Sequence, residues 1–161
     1  DDLTPITRAL DIEHRHVRDL IDRLRAKEME FEERNPGAAI AEMADRLAVQ
    51  WNVEIVVGKT PAAIRVGGEL AFELKQIIRE AIANAVRHGH AKEIVIGIQA
   101  GIRNLRITVE DDGIGFAGPH PLAMPRTIGE RVEGLNGLSM VRSQPGATMI
   151  QFTIPLERAR D

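Results

Sequence analysis

Cysteine is absent from these 161 residues, so neither a disulfide framework nor a thiolate metal site can form. That absence fits a reducing compartment, and the cytoplasm is the expected location. Long apolar runs are missing too. The longest lies around Ile94 to Ile98, far short of the ~20 residues that span a bilayer. The opening residues do not read as a signal peptide, so any membrane anchor of a parent protein is expected elsewhere, and no membrane contact is expected from this stretch. Nor is there a surplus of positive charge: 21 Lys and Arg stand against 24 Asp and Glu, a net charge of −3. No global basic field argues for nucleic acid, and any phosphate binding must be local. The length is that of one domain with a helical attachment, enough to bury a real core.

What is present is one long amphipathic stretch. From Leu70 to His88 the apolar residues Leu70, Leu74, Ile77, Ile78, Ala81, Ala85 and Val86 recur at steps of three and four, the period of a half-buried helix that Gly89 then stops. Side chains four apart stack on one face, so Glu80, Asn84 and His88 form a polar line beside the apolar stripe. Two strand-like runs follow, Glu93 to Gln99 and Leu105 to Glu110, and the second delivers Asp111-Asp112 into Gly113-Ile114-Gly115-Phe116. Glycines there let a flat ligand approach the backbone, and Asp112 is expected to accept a hydrogen bond from an exocyclic amine, as adenine offers.

These words resemble the GHKL ATPases, whose members include gyrase and the sensor histidine kinases. Glu80-x-x-x-Asn84-x-x-x-His88 is similar to the N box, Asp112 with Gly113 and Gly115 to the first glycine box, and Gly134-Leu-Asn-Gly137-Leu138 to a second glycine box. Within that family the chain looks most like sensor kinases of the nitrate-sensor type, through Glu80-Ala81-Ile82-Ala83-Asn84-Ala85-Val86-Arg87-His88 and Asp111 to Phe116. Each short motif alone is weak; their order and context together are strong.

The resemblance implies an α/β fold, a two-layer sandwich of a mixed sheet backed by helices, binding ATP and Mg2+. It implies Asn84 as the magnesium ligand, Asp112 as the reader of the adenine amine, Gly113, Ile114 and Gly115 as walls of the base pocket, and Thr148 as a water-mediated support. Glu80 takes the place from which family members orient or deprotonate the attacking imidazole, and Arg87 and His88 lie a turn beyond, near phosphate. Gly134, Gly137 and a helix starting at Leu138 are expected to turn free backbone N–H groups toward the phosphates. The stretch Ala117 to Glu133 reads as the ATP lid, a long loop carrying Arg126 and Arg131.

Ahead of this unit, Ile6 to Phe31 carries a narrow stripe of Leu10, Val17, Leu20, Ile21 and Leu24 among charges, suited to packing on a partner helix. By resemblance, residues 1–34 are the second helix of a dimerisation hairpin with its linker, and 35–161 the ATP-binding domain. His14 and His16 read as solvated rather than as phosphoacceptors, since neither precedes an acid. Asn35-Pro36-Gly37 reads as a break, Ala39 to Gln50 as a helix, Trp51 to Val57 as a strand, Ala63 to Val66 as a possible short strand, and Met149 to Ile154 as the closing strand. Only Ser139 to Gln144 separates the second glycine box from the closing turn, too little for the helix and strand that the family has there.

The implied activity is transfer of the ATP γ-phosphate to a histidine on the dimerisation unit of a homodimer, and onward to a response regulator receiver domain. The rivals are a non-catalytic nucleotide-binding module, motivated by that short segment, and a serine kinase of the anti-sigma type.

Overall fold

The computed structural model describes residues 4–28, 34–115 and 124–156. Its elements are α1 (Thr4–Glu28), α2 (Pro36–Trp51), β1 (Glu54–Val57), α3 (Gly68–Arg87), β2 (Glu93–Ala100), β3 (Asn104–Asp111), α4 (Arg126–Gly134), β4 (Leu138–Gln144) and β5 (Ala147–Pro155). The five strands form one sheet in the order β1-β2-β3-β5-β4. β1 and β2 run parallel across the α3 crossover, and the other pairs are antiparallel, so the sheet is mixed as expected.

Alternation decides which face is covered. Ile94, Ile96 and Ile98 of β2, Leu105, Ile107 and Val109 of β3, and Ile150, Phe152 and Ile154 of β5 are buried, while their neighbours along each strand are half-buried or exposed. Against that row pack Ile40, Met43 and Leu47 of α2, Leu74, Ile77, Ile78, Ala81 and Ile82 of α3, and Ile128 and Val132 of α4. One layer of helices on one face of a sheet is a two-layer sandwich. Burying each large apolar side chain contributes roughly 1.5–3 kcal/mol, which makes this interface the main source of stability.

α3 begins two residues earlier than its apolar period and ends at Arg87, with His88 as C-cap. Three expectations need correction. Asn35-Pro36-Gly37 starts α2 instead of breaking the chain: Asn35 Oδ1 accepts from the N–H groups of Gly37 at 2.9 Å and Ala38 at 3.3 Å, and proline is favoured in the first turn. Trp51 closes α2 instead of opening β1, because Asn52 takes the left-handed conformation (φ 52°) that caps the helix. The segment Ala63 to Val66 forms only a single bridge, between Arg34 and Val66.

The largest correction concerns the far end. Arg126–Gly134 is helix α4, inside the stretch read as loop, and Leu138 opens strand β4 instead of a helix. Helix, strand and closing strand are therefore all present, only earlier in the chain than Gly134 suggested. α4 hides well in the sequence: two glycines sit within it, and only Ile128 and Val132, four apart, are buried. Residues 117–123 of the loop reading fall outside the described residues, as does Phe116 of the first glycine box.

α1 packs along α3, joined to it by Arg23 to Glu73 at 3.7 Å. Leu10, Val17, Leu20, Ile21 and Leu24 remain 44–58% exposed, a continuous apolar face without a partner among the described residues. His14 and His16 are exposed. Among the described residues no helix is long and apolar enough to cross a membrane.

Candidate functional site

Where β3 ends beside the start of β5, the covered row of the sheet turns polar. Leu105, Ile107 and Val109 face the helices, and the same alternation puts Asp111 next in that row, directly opposite Thr148 of β5. Across from this pair stands α3. Asp111, Thr148, Gly115 and Ile150 from the sheet side and Ala81, Asn84, Ala85 and Gly89 from the helix side line one hollow. It is narrow here, about 10 Å³, room for about one water.

Asp111 is half-buried, and one carboxylate oxygen accepts from the Gly113 N–H at 2.9 Å. Burial pushes its pKa up, opposed by that hydrogen bond, with the neighbouring Asp112 charge adding to the rise. Thr148 is buried, its hydroxyl 3.1 Å from that of Ser143. Gly115 has φ of 85°, in the left-handed region that favours glycine. Gly113 is fixed by space: a Cβ there would sit 2.7 Å from the Gly89 carbonyl oxygen, to which the Ile114 N–H donates at 2.8 Å. That contact ties the glycine turn to the end of α3. Ile114 itself is 59% exposed.

Asp112, the carboxylate expected to read the base, points elsewhere. It is exposed, and its Oδ1 accepts from the N–H of Lys92 at 2.8 Å and of Glu93 at 3.0 Å, fastening the start of β2. Those two N–H groups, Glu93 first, hold its pKa below the usual carboxylate range. The reason is register: Asp112 follows the last paired residue of β3 and leaves the covered row. Counted strictly, Asp-x-Gly-x-Gly begins at Asp111, with Asp112 as the first x.

On α3 the polar line divides. Glu80 and Asn84 line a second, wider cavity of about 700 Å³, together with Arg87, Trp51, Arg79, Gln76 and residues of α1, while Asn84 also borders the narrow hollow. Asn84 is thus the shared wall of the two spaces. Its side-chain amide has no hydrogen-bond partner among the described residues, and its amide oxygen suits a hard cation that otherwise keeps water and phosphate oxygens. Glu80 accepts a hydrogen bond from the Thr127 hydroxyl, in the first turn of α4. Arg87 lies over the Trp51 ring, 5.0 Å from its centroid. His88 is exposed at the C-cap of α3 and borders neither space.

Gly134, Gly137 and Leu138 are not brought to this site. Gly134 ends α4, where the free groups are carbonyls of negative partial charge, the wrong pole for phosphate. Gly137 is a packing residue: an added Cβ would meet Ile154 Cδ1 at 2.5 Å and Thr153 O at 2.9 Å. Leu138 is 80% exposed on the edge strand. The helix end nearest Glu80 is instead the N-terminus of α4, where Pro125 leaves the first turn without a side-chain cap. Of the two lid arginines, Arg126 pairs with Glu130 at 2.7 Å and Arg131 with Glu73 at 3.1 Å.

Comparison with known proteins bears on the fold and family. Residues 69–158 match the model of the histidine kinase-, DNA gyrase B-, and HSP90-like ATPases, and the chain belongs to that family. It is 28% identical over 160 residues to the nitrate/nitrite sensor protein NarQ of Escherichia coli K12, covering 94% of this chain but 27% of NarQ. It is 31% identical over 94 residues to NarX of the same organism, 55% of this chain and 15% of NarX. The chain therefore spans well under a third of either relative. In fold it is similar to the histidine kinase domain of the Erythrobacter litoralis EL346 blue-light activated histidine kinase, with a TM-score of 0.67 at 20% identity over 97% of this chain and 88% of that one. The ATP-binding domain of Mycobacterium tuberculosis PrrB gives a TM-score of 0.64 at 16% identity, over 78% and 97%.

Proposed function

We propose that this chain is the ATP-binding catalytic unit of a sensor histidine kinase, transferring the γ-phosphoryl group of ATP to a histidine imidazole and thence to a response regulator receiver domain. The observation that carries the reading is that Asp111 and Thr148 face Asn84 across one hollow, while Glu80 stands one helical turn away in the adjoining cavity. Adenine would lie in the narrow hollow, its amine donating to the Asp111 carboxylate, with Thr148 supporting it and Gly113 and Gly115 shaping the turn. Asp111 replaces Asp112 in this role.

Asn84 would hold Mg2+ through its amide oxygen, with water and phosphate oxygens completing the shell, and the ion would supply charge neutralisation at the phosphates. Phosphoryl transfer asks mainly for positioning and charge. Glu80 is placed to orient and deprotonate the attacking imidazole. Arg87 lies in the wider cavity, where phosphate would emerge beyond Asn84, and its planar fork suits that group. His88, exposed at the helix end, would contribute there only as a longer-range cation.

Residues 1–34 we assign to a dimerisation unit: the bare apolar face of α1 suits a second copy of the same helix, making the full-length protein a homodimer working in the cytoplasm. The rival reading as a non-catalytic module loses its motive, because the helix and strand it took to be missing are α4 and β4. Supplying an acceptor hairpin with labelled Mg-ATP tests the proposal. Acid-labile label on a histidine, abolished by Glu80→Gln, is expected; tight nucleotide binding with no transfer, or acid-stable phosphoserine, would overturn it.

A further inference from the structure

We infer that Trp51, the only tryptophan of the chain, is a positioning residue that presents Arg87 to the phosphates of a bound nucleotide. The inference rests on the proposed nucleotide site and extends it to a residue outside the family's motifs. Three observations carry it. Trp51 closes α2 and is half-buried against the core, anchored by the left-handed cap at Asn52, so its ring has a fixed place. Arg87 is the last residue of α3, three positions after Asn84 and on the same side, and its guanidinium lies over that ring, 5.0 Å from the centroid. Both residues line the cavity that Glu80 and Asn84 also line.

The geometry matters because of which part of the guanidinium it uses. A carboxylate partner would occupy the N–H edge, as Glu73 does for Arg131 at 3.1 Å and Glu130 for Arg126 at 2.7 Å. The ring attracts the cation through its charge and is no carboxylate acceptor, so the donors of Arg87 are not taken up by an ion pair. Among the described residues Arg87 forms no ion pair, although Glu80, Asp19 and Asp22 line the same cavity. An exposed arginine would otherwise sample many rotamers and lose that freedom when it grips a ligand. Trp51 removes part of the loss in advance, the usual effect of preorganisation. Lysine offers no planar fork to grip two phosphate oxygens, so arginine suits this place better.

The chain's single tryptophan makes the test direct. Titrating Mg-ATP into the wild-type chain should change Trp51 emission, and Arg87→Gln should remove most of that change. In calorimetry Trp51→Leu should weaken Mg-ATP binding about threefold to tenfold while leaving adenosine, which has no phosphate, unaffected. Trp51→Phe should restore most of the loss, and Trp51→Leu should add nothing in an Arg87→Gln background. Equal affinity of wild type and Trp51→Leu for Mg-ATP, or equal weakening of Mg-ATP and adenosine, would overturn the inference. So would unchanged wild-type emission on saturation with Mg-ATP, which requires no variant to fold. Failure of the wild type to bind either ligand would instead reject the nucleotide site itself.

Discussion

Two spaces meet at Asn84, and they are built in different ways. The narrow one, of about 10 Å³, is made by strand ends and a glycine turn: Asp111, Thr148 and Gly115 come from backbone register, and only the α3 side comes from a helix. The wide one, of about 700 Å³, is made by helices, with Arg15 and Arg18 from α1, Trp51 from α2, Glu80 and Arg87 from α3 and Arg131 from α4. Register fixes a side chain to within one residue and leaves little slack, which suits reading a flat base. Helices present long charged side chains into open space, which suits holding phosphates and admitting a second protein group.

If that division of labour holds, the largest effect should come from the wide side. Glu80→Gln should lower transfer to an acceptor hairpin by roughly 10²–10⁴-fold, the usual share of general acid–base catalysis, while Mg-ATP affinity changes little. A variant that transfers normally would remove Glu80 from the chemistry. On the narrow side, Asp111→Asn should cost about 1.5–3 kcal/mol of nucleotide binding, since an acceptor to a charged-group hydrogen bond is lost. Calorimetry with ATP reads this directly, and Asp112→Asn serves as the paired control with no change expected.

A smaller effect should appear with pH. Burial raises the Asp111 pKa from its ordinary value, so folding shifts this group toward the protonated form relative to the unfolded chain. Its contribution to stability is present below the ordinary value and is lost as pH rises through the raised one. Nucleotide affinity should run the opposite way, rising with pH through the same window, because the ionised form accepts the adenine amine. Asp111→Asn should flatten that component, and its persistence in the variant would assign it to another group. Asp112→Ala should lower folding stability by about 1 kcal/mol, discounted for exposure, by releasing the N–H groups of Lys92 and Glu93. That contribution is present above the ordinary aspartate range and lost as pH falls through the depressed pKa. Urea denaturation at pH 7 checks it. Smallest of all, Gly134→Ala should leave nucleotide binding unchanged, having open space around it and no place at the site.

The same contrast explains what the chain reveals before it folds. The α3 stripe and the two strands after it follow from apolar period, as do Glu80 and Asn84 on one face; the mixed two-layer sandwich follows from the family resemblance that the motifs carry. The place of Asp111 in the covered row was legible as well: alternation through Leu105, Ile107 and Val109 points to it, and a one-residue shift to Asp112 swaps the two sides of a strand. α4 was not legible, because its two glycines and the buried pair Ile128 and Val132 leave too weak a signal over nine residues. Misplacing it moved the phosphate site to Gly134 and Gly137, at the wrong pole of the helix. The pairing of Trp51 with Arg87 was out of reach for a different reason. It joins the ends of two helices 36 positions apart in the chain (87 − 51), and no periodicity records such a meeting.

The most direct measurement is a crystal structure of the chain with Mg2+ and a non-hydrolysable ATP analogue. The account predicts the adenine amine within hydrogen-bonding distance of the Asp111 carboxylate and the metal on the Asn84 amide oxygen, with the phosphates running toward Glu80 and Arg87. A base held by Asp112, or a nucleotide bound away from the end of β3 with Asn84 untouched, would contradict it.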